Sequence, residues 1–271
     1  MKKHILFTMA MAFIWQSAKA QWFDTPLHYV DDVKLMALYE ISYKEDTNNL
    51  NFVSNEMMLL LIGNSASSFQ SYNRYRFNAI GRKKRAEGNL INWIQNTDLL
   101  EYSTGFTYCI YKNYPIGKIT TTDNVFQVGS FQYSEELDSF HWMFGGETKI
   151  ISGYHAQNAT CDFGGRTWEA WFTDELPFND GPYKFCGLPG LIIKISDTKG
   201  HYCFELVSVE APHESTKIDW EEKSYVVTDK KAFFKICDDS DVFLDPQTIE
   251  SQKKLKAIEK SRNNPIELDR K

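Results

Sequence analysis

The chain has 271 residues, is 42% hydrophobic and 15% aromatic, and carries a formal charge of −6 from 30 basic and 36 acidic residues. That balance excludes a nucleic-acid role resting on a basic surface, so no nucleic-acid partner is expected. The length supports one large domain or two small ones around a substantial core.

Residues Met1 to Ala20 open with Lys2 and Lys3, continue through the apolar run Ile5 to Trp15, and end on Ala18-Lys19-Ala20, the layout of a cleavable secretory signal. The run falls well short of the roughly 20 residues a bilayer-spanning helix needs. No later segment is apolar enough to span, so a chain without a transmembrane segment, periplasmic or secreted, is the expectation. Losing the signal removes three lysines and no acids, so 27 basic residues face 36 acidic ones and the charge moves from −6 to −9.

Val33 to Tyr43 ends in alternation and reads as a strand. Met57 to Ile62 is continuously apolar and closed by Gly63-Asn64, which suits a strand buried on both faces. Ser68 to Phe77 alternates again and predicts the second arm of a hairpin. Asn78 to Leu100 turns polar and helical in places, and the run Arg82-Lys83-Lys84-Arg85 reads as a solvated turn. Short strands follow at Thr107 to Tyr111, Lys118 to Thr121 and Val125 to Val128, then at Thr148 to Ile151, Ala159 to Phe163 and Arg166 to Phe172.

Gly181 to Ile192, GPYKFCGLPGLI, carries the densest turn chemistry. Pro189 followed by Gly190 predicts a type II turn, proline pre-setting φ and glycine accepting a positive one. Leu191 to Ser196 and Tyr202 to Val209 flank Asp197-Thr198-Lys199-Gly200 as a β-hairpin, with Ser196 expected opposite His201 and Cys203 opposite Lys194. Asp245 is placed to cap a helix starting at Pro246 and stopped by Asn263-Asn264-Pro265. Repeated short strands predict a mainly β fold: an antiparallel, strongly curved sheet, barrel or bowl, with a few peripheral helices. The expected division is a signal over 1–20, a β domain over 21–245, and a basic C-terminal helix and tail over 246–271, where seven basic residues meet four acidic ones.

The five cysteines, Cys109, Cys161, Cys186, Cys203 and Cys237, are irregularly spaced, without C-x-x-C. Free buried thiols are preferred to a disulfide framework. His201-x-Cys203, with His155 or Cys161, is too sparse for a metal site. No P-loop, dinucleotide fingerprint or G-x-S-x-G motif is present, so no cofactor is expected and no reaction is written in the chain.

The segments Gly153-Tyr154, Ala159-Thr160-Cys161, Gly164-Gly165-Arg166, Ala170 to Thr173, Asp180 to Phe185, and Gly187-Leu188-Pro189-Gly190-Leu191-Ile192 together resemble the GLPGLI family of exported Bacteroidota proteins. Leu60 to Gly63, Ser67 to Phe69 and the terminal Asn264-Pro265-Ile266-Glu267-Leu268 extend the likeness over most of the chain. His155 departs from the cysteine many relatives carry. The family is similar to the bowl-like N-terminal domain of some secreted peptide N-glycosidases, which implies an accessory or binding role without catalysis.

The best candidate ligand site is Arg166 with Trp168 and Tyr183, since indole and guanidinium groups stack on and bond planar or sugar-like ligands. Alternation of Trp168 and Trp171 places one of them in the core. The competing account of Arg166 is a structural ion pair with Asp174, Glu175 or Asp180. The leading expectation is a non-catalytic envelope module binding an envelope protein or a glycan. The alternative is a hydrolase of glycoconjugates using acids near Arg166 and the loop Thr173 to Asp180.

Overall fold

The computed structural model describes residues 22–125, 128–213, 216–240 and 262–269. The expected signal and the helix expected from Pro246 lie outside them. Fourteen strands organise the chain: β1 (Leu27–Asp32), β2 (Leu35–Tyr43), β3 (Ser54–Ile62), β4 (Ser67–Ser71), β5 (Cys109–Lys112), β6 (Lys118–Val125) and β7 (Gly129–Glu136). Then come β8 (Met143–Ile151), β9 (Tyr154–Phe163), β10 (Arg166–Thr173), β11 (Leu191–Asp197), β12 (Tyr202–Glu210), β13 (Lys217–Glu221) and β14 (Val226–Val227). Twelve form one sheet in the order β14-β7-β6-β5-β4-β3-β2-β12-β11-β10-β9-β8, while β1 and β13 make a separate two-stranded ribbon. Every pairing is antiparallel except the short β14 against β7. The fold is mainly β, as the periodicity predicts.

The sheet is open at both ends yet strongly rolled. Strands β7 and β9 stand nine steps apart in the order, which at roughly 4.8 Å per step would separate them by about 43 Å in a flat sheet. One lysine nevertheless reaches both: Lys184 Nζ lies 3.3 Å from the Tyr133 hydroxyl on β7 and 5.8 Å from the Phe163 ring centroid on β9. The inside of the roll holds the principal core, with Met58, Leu60 and Ile62 of β3 among Tyr39, Phe69, Trp168, Phe185 and Phe204. The other face of β3, through Leu59 and Leu61, packs with Cys109, Tyr111 and Ile218. The continuously apolar part of β3, Met57 to Ile62, is thus covered on both faces, as expected.

Four local expectations are corrected. The hairpin β3–β4 forms, but β4 stops at Ser71, whose hydroxyl accepts the Arg74 N–H (3.3 Å) and starts the helix Tyr72–Ala86. The Arg82 to Arg85 run is therefore the last turn of a helix and no loop. Val128 N–H donates to Val125 (3.0 Å), closing a turn between β6 and β7 where a strand was expected. In the β11–β12 hairpin Cys203 sits opposite Ser196, two residues from the expected register. The Asp197 carboxylate causes the slip: it accepts N–H groups from His201 (2.6 Å) and Tyr202 (2.8 Å), widening the loop. Additional helices span Leu90–Asn96 and Lys230–Asp239.

Candidate functional site

The roll is filled by two segments without regular structure, the loop 174–190 and the tail 262–269. Loop and tail meet through charge. Lys184 is fully buried and pairs with Glu135 and, at 2.7 Å, with Glu267. Glu267, also fully buried, takes Lys230 and the Tyr183 hydroxyl as further donors. Burial alone would raise the Glu267 carboxyl, but Lys184 and Lys230 outweigh it and hold it down at about 2. The same carboxylates keep Lys184 above its ordinary range against the cost of burial.

Arg166 is the second anchor of the tail. Its Nε donates to the Ile266 carbonyl (2.9 Å), and one terminal nitrogen donates to Asn264 Oδ1 (2.7 Å) and the Pro265 carbonyl (2.6 Å). The other pairs with Asp197 at 2.9 Å. Its partner is thus the hairpin acid, not Asp174, Glu175 or Asp180, because Asp197 lies opposite Trp168 in the β10–β11 ladder, two positions along. Asp174 is exposed, and Glu175 accepts the His155 N–H at 2.8 Å. Trp168 is fully buried with its indole N–H on the Phe163 carbonyl (3.0 Å), and Tyr183 is buried against Phe204. The sequence-predicted trio of Arg166, Trp168 and Tyr183 therefore lies in the interior, with its polar atoms bonded inside the chain. Trp168 and Trp171 are both buried, where alternation placed only one in the core; the Lys149 ammonium lies 3.5 Å from the Trp171 ring centroid.

The hexapeptide Gly187 to Ile192 brings the loop back into the sheet. Gly190 N–H donates to the Leu188 carbonyl (2.8 Å), a three-residue turn around Pro189. Leu191 N–H, which would close a type II turn, donates instead to Leu176 (3.0 Å). Glycine is required at 190 for two reasons: φ is +147°, and a Cβ there would lie 2.1 Å from the Thr173 carbonyl oxygen. The corner is closed by a tighter turn than the sequence predicts.

Beside this corner lies an open cleft of about 810 Å³. One wall is the β3–β4 turn, held by Asp31, whose carboxylate accepts from Asn64 (2.9 Å), Ser65 N–H (2.6 Å) and Ala66 N–H (3.1 Å). Those bonds outweigh the effect of burial and hold Asp31 at about 2. Opposite stand Pro177, Phe178 and Asn179, with Glu136 and Asp138 at the side. The floor is the buried Lys112, which pairs with Asp180 and donates to the Gly181 carbonyl (2.5 Å), fixing the loop. The Ser67 hydroxyl, also lining the cleft, is buried without a hydrogen-bond partner. Sequence reasoning missed Asp31 and Lys112, which are ordinary strand residues until the sheet brings them together; Ser67, the residues 177–180 and Gly187 came from segments it singled out, without being joined into one site.

No disulfide joins any of the five cysteines. Burial pushes Cys109 and Cys186 up to about 11 and Cys161 to about 12, so these are poor nucleophiles at neutral pH. Among the described residues no cluster of three or more His, Cys, Asp or Glu side chains is arranged to hold a metal ion.

The fold and site define a rolled antiparallel sheet protein with a filled interior and a polar cleft at the loop corner. A profile of the family described as "Protein of unknown function (Porph_ging)" matches residues 164–194, from the β9–β10 turn through Arg166 and the hexapeptide into β11. Two solved structures of PNGF-II, in C2 and P21 space groups, share the fold with TM-scores of 0.51 and 0.52, each at 14% identity. Each comparison covers 76% of this chain and 33% of the PNGF-II chain, so this protein corresponds to about a third of those structures. No curated protein matches the sequence. Among the described residues, no helix is long and apolar enough to cross a membrane.

Proposed function

We propose that the chain is an exported GLPGLI-type protein acting at the cell envelope as a non-catalytic binding module, with the cleft beside the hexapeptide corner as its ligand site. The observation that carries this reading is the cleft itself: a lining that includes Asn64, Asn179, Asp138 and the Phe178 ring, with the Lys112–Asp180 pair at its base. Amide and carboxylate groups next to an aromatic ring suit a hydroxyl-rich ligand such as a glycan. In this reading Arg166, Trp168 and Tyr183 support the site by locking loop and tail. The hydrolase alternative draws less support, because two of the loop's three acids are engaged within the chain: Asp180 is paired with Lys112 and Glu175 accepts a backbone N–H.

The test is a binding screen of the purified protein against envelope glycans and envelope proteins, repeated with Phe178→Ala and Asn179→Ala. Both side chains line the cleft outside the buried anchors, so binding should fall at least tenfold while the melting temperature stays within about 2 °C. Binding that survives both substitutions, or turnover of a glycoconjugate, would overturn the reading.

A further inference from the structure

We propose that the pocket between the helix Tyr72–Ala86 and β13, on the face of the sheet opposite the tail, binds an oxyanion: the phosphate, sulfate or carboxylate group of a small ligand. The pocket holds about 470 Å³ and is separate from the cleft. Arg74, Asn78 and Arg82 recur every four residues and line it from one face of the helix. Across from them, Glu221 is the one carboxylate that receives Arg74 (3.5 Å), Arg82 (2.9 Å) and Lys223 (2.5 Å) together.

Donors exceed acceptors at this point. A guanidinium offers five N–H donors. Arg82 places one terminal nitrogen on Glu221, while its Nε is buried without a hydrogen-bond partner. Arg74 meets Glu221 only at 3.5 Å, beyond the usual length of a charged hydrogen bond. Lys217 adds a fourth cation at the rim, and Asp219 is the second acid of the lining, its backbone carbonyl already taken by the Tyr111 hydroxyl at 2.9 Å. Among the described residues, three cations line the pocket with two carboxylates and Lys223 bonds Glu221 from outside the lining, a local excess of positive charge on a protein whose formal charge is −6. Their side chains keep partial solvent access, 20% for Arg74 and 25% for Arg82, so an incoming anion reaches them without unfolding the helix. An oxyanion supplies several acceptors at once and satisfies the unused donors.

The experiment is calorimetric titration of the full chain, at low ionic strength and in a buffer free of oxyanions, with inorganic phosphate, inorganic sulfate, acetate, a sugar phosphate and a sulfated disaccharide. Saturable 1:1 binding of at least one probe is expected, and the tightest arm identifies the source of the group. Arg74→Gln and Arg82→Gln should each weaken it about tenfold or more, and Lys217→Gln two- to threefold. Glu221→Gln removes the internal competitor and should tighten binding. If an arginine variant fails to fold, Lys217→Gln and Glu221→Gln still decide. No saturable heat from any probe in both the unaltered protein and Glu221→Gln, or affinity unchanged in the folded variants, would overturn the proposal.

Discussion

Arg166 and the pair Arg74 and Arg82 occupy opposite faces of the same sheet, and their surroundings differ in the number of acceptors supplied. Arg166, with its side chain 2% exposed, meets Asp197, Asn264 and two tail carbonyls. Arg74 and Arg82 share one carboxylate with a lysine. A buried cation whose donors are all matched holds a structure together, whereas a partly exposed one with unused donors has bonding capacity left for a ligand. The residue type is the same, and the local count of acceptors separates scaffold from candidate site.

The sharpest break of this contrast is removal of residues 262–271. Without Asn264 to Glu267, Arg166 keeps only Asp197 and Lys184 only Glu135 as charged partners, and cooperative thermal unfolding by circular dichroism should disappear; a melting curve like that of the intact chain would refute the scaffold role of the inner face. Replacing Lys184 by Met leaves Glu267 buried beside Lys230 alone and should cost roughly 3–5 kcal/mol in urea denaturation. A loss below about 1 kcal/mol would mean the inner network is as loose as the outer one.

Acid should act through the same network. Glu267 is held at about 2 in the folded protein against an ordinary 4.5. Its ionised form therefore adds stability above pH 4.5, on the order of 3 kcal/mol, which is lost as pH falls from 4.5 towards 2. Unfolding free energies measured from pH 6 to pH 2.5 should show that decline, and Glu267→Gln should flatten part of it. The smallest effect is expected on the outer face: Lys223→Gln should change stability by about 1 kcal/mol or less, because the lysine of that pair is partly solvated. A cost comparable to that of Lys184→Met would erase the distinction between the faces and assign the outer cluster to the scaffold.

Much of the fold was legible because period-two patterning survives in a sheet covered on one or both faces. β3, β10, β11 and β12 follow from alternation or from continuous apolar runs. Register was less legible: the Asp197 carboxylate shifted the β11–β12 pairing by two residues, a side-chain effect that turn composition does not reveal. The helix Tyr72–Ala86 was read partly as strand, since Phe69, Ser71 and Asn73 continue the alternation past the residue where the Ser71 cap redirects the backbone. Of the candidate site, Arg166 stood out as a partly buried cation, but its partners lie 98 to 100 residues away in the tail.

By itself the sequence determined the class of fold, the two-sided burial of the apolar part of β3 and the presence, though not the type, of a turn at Pro189 and Gly190, because propensity, periodicity and turn chemistry act over a few residues. Only the tertiary structure decided which charges are spent and which remain available. Rolling the sheet brings Lys184 to Glu267 and Arg166 to the tail, and it leaves Arg74 and Arg82 with a single shared acid. The pairing of charges is set by distance and solvent access, and both depend on how strands remote in the chain come to lie beside one another.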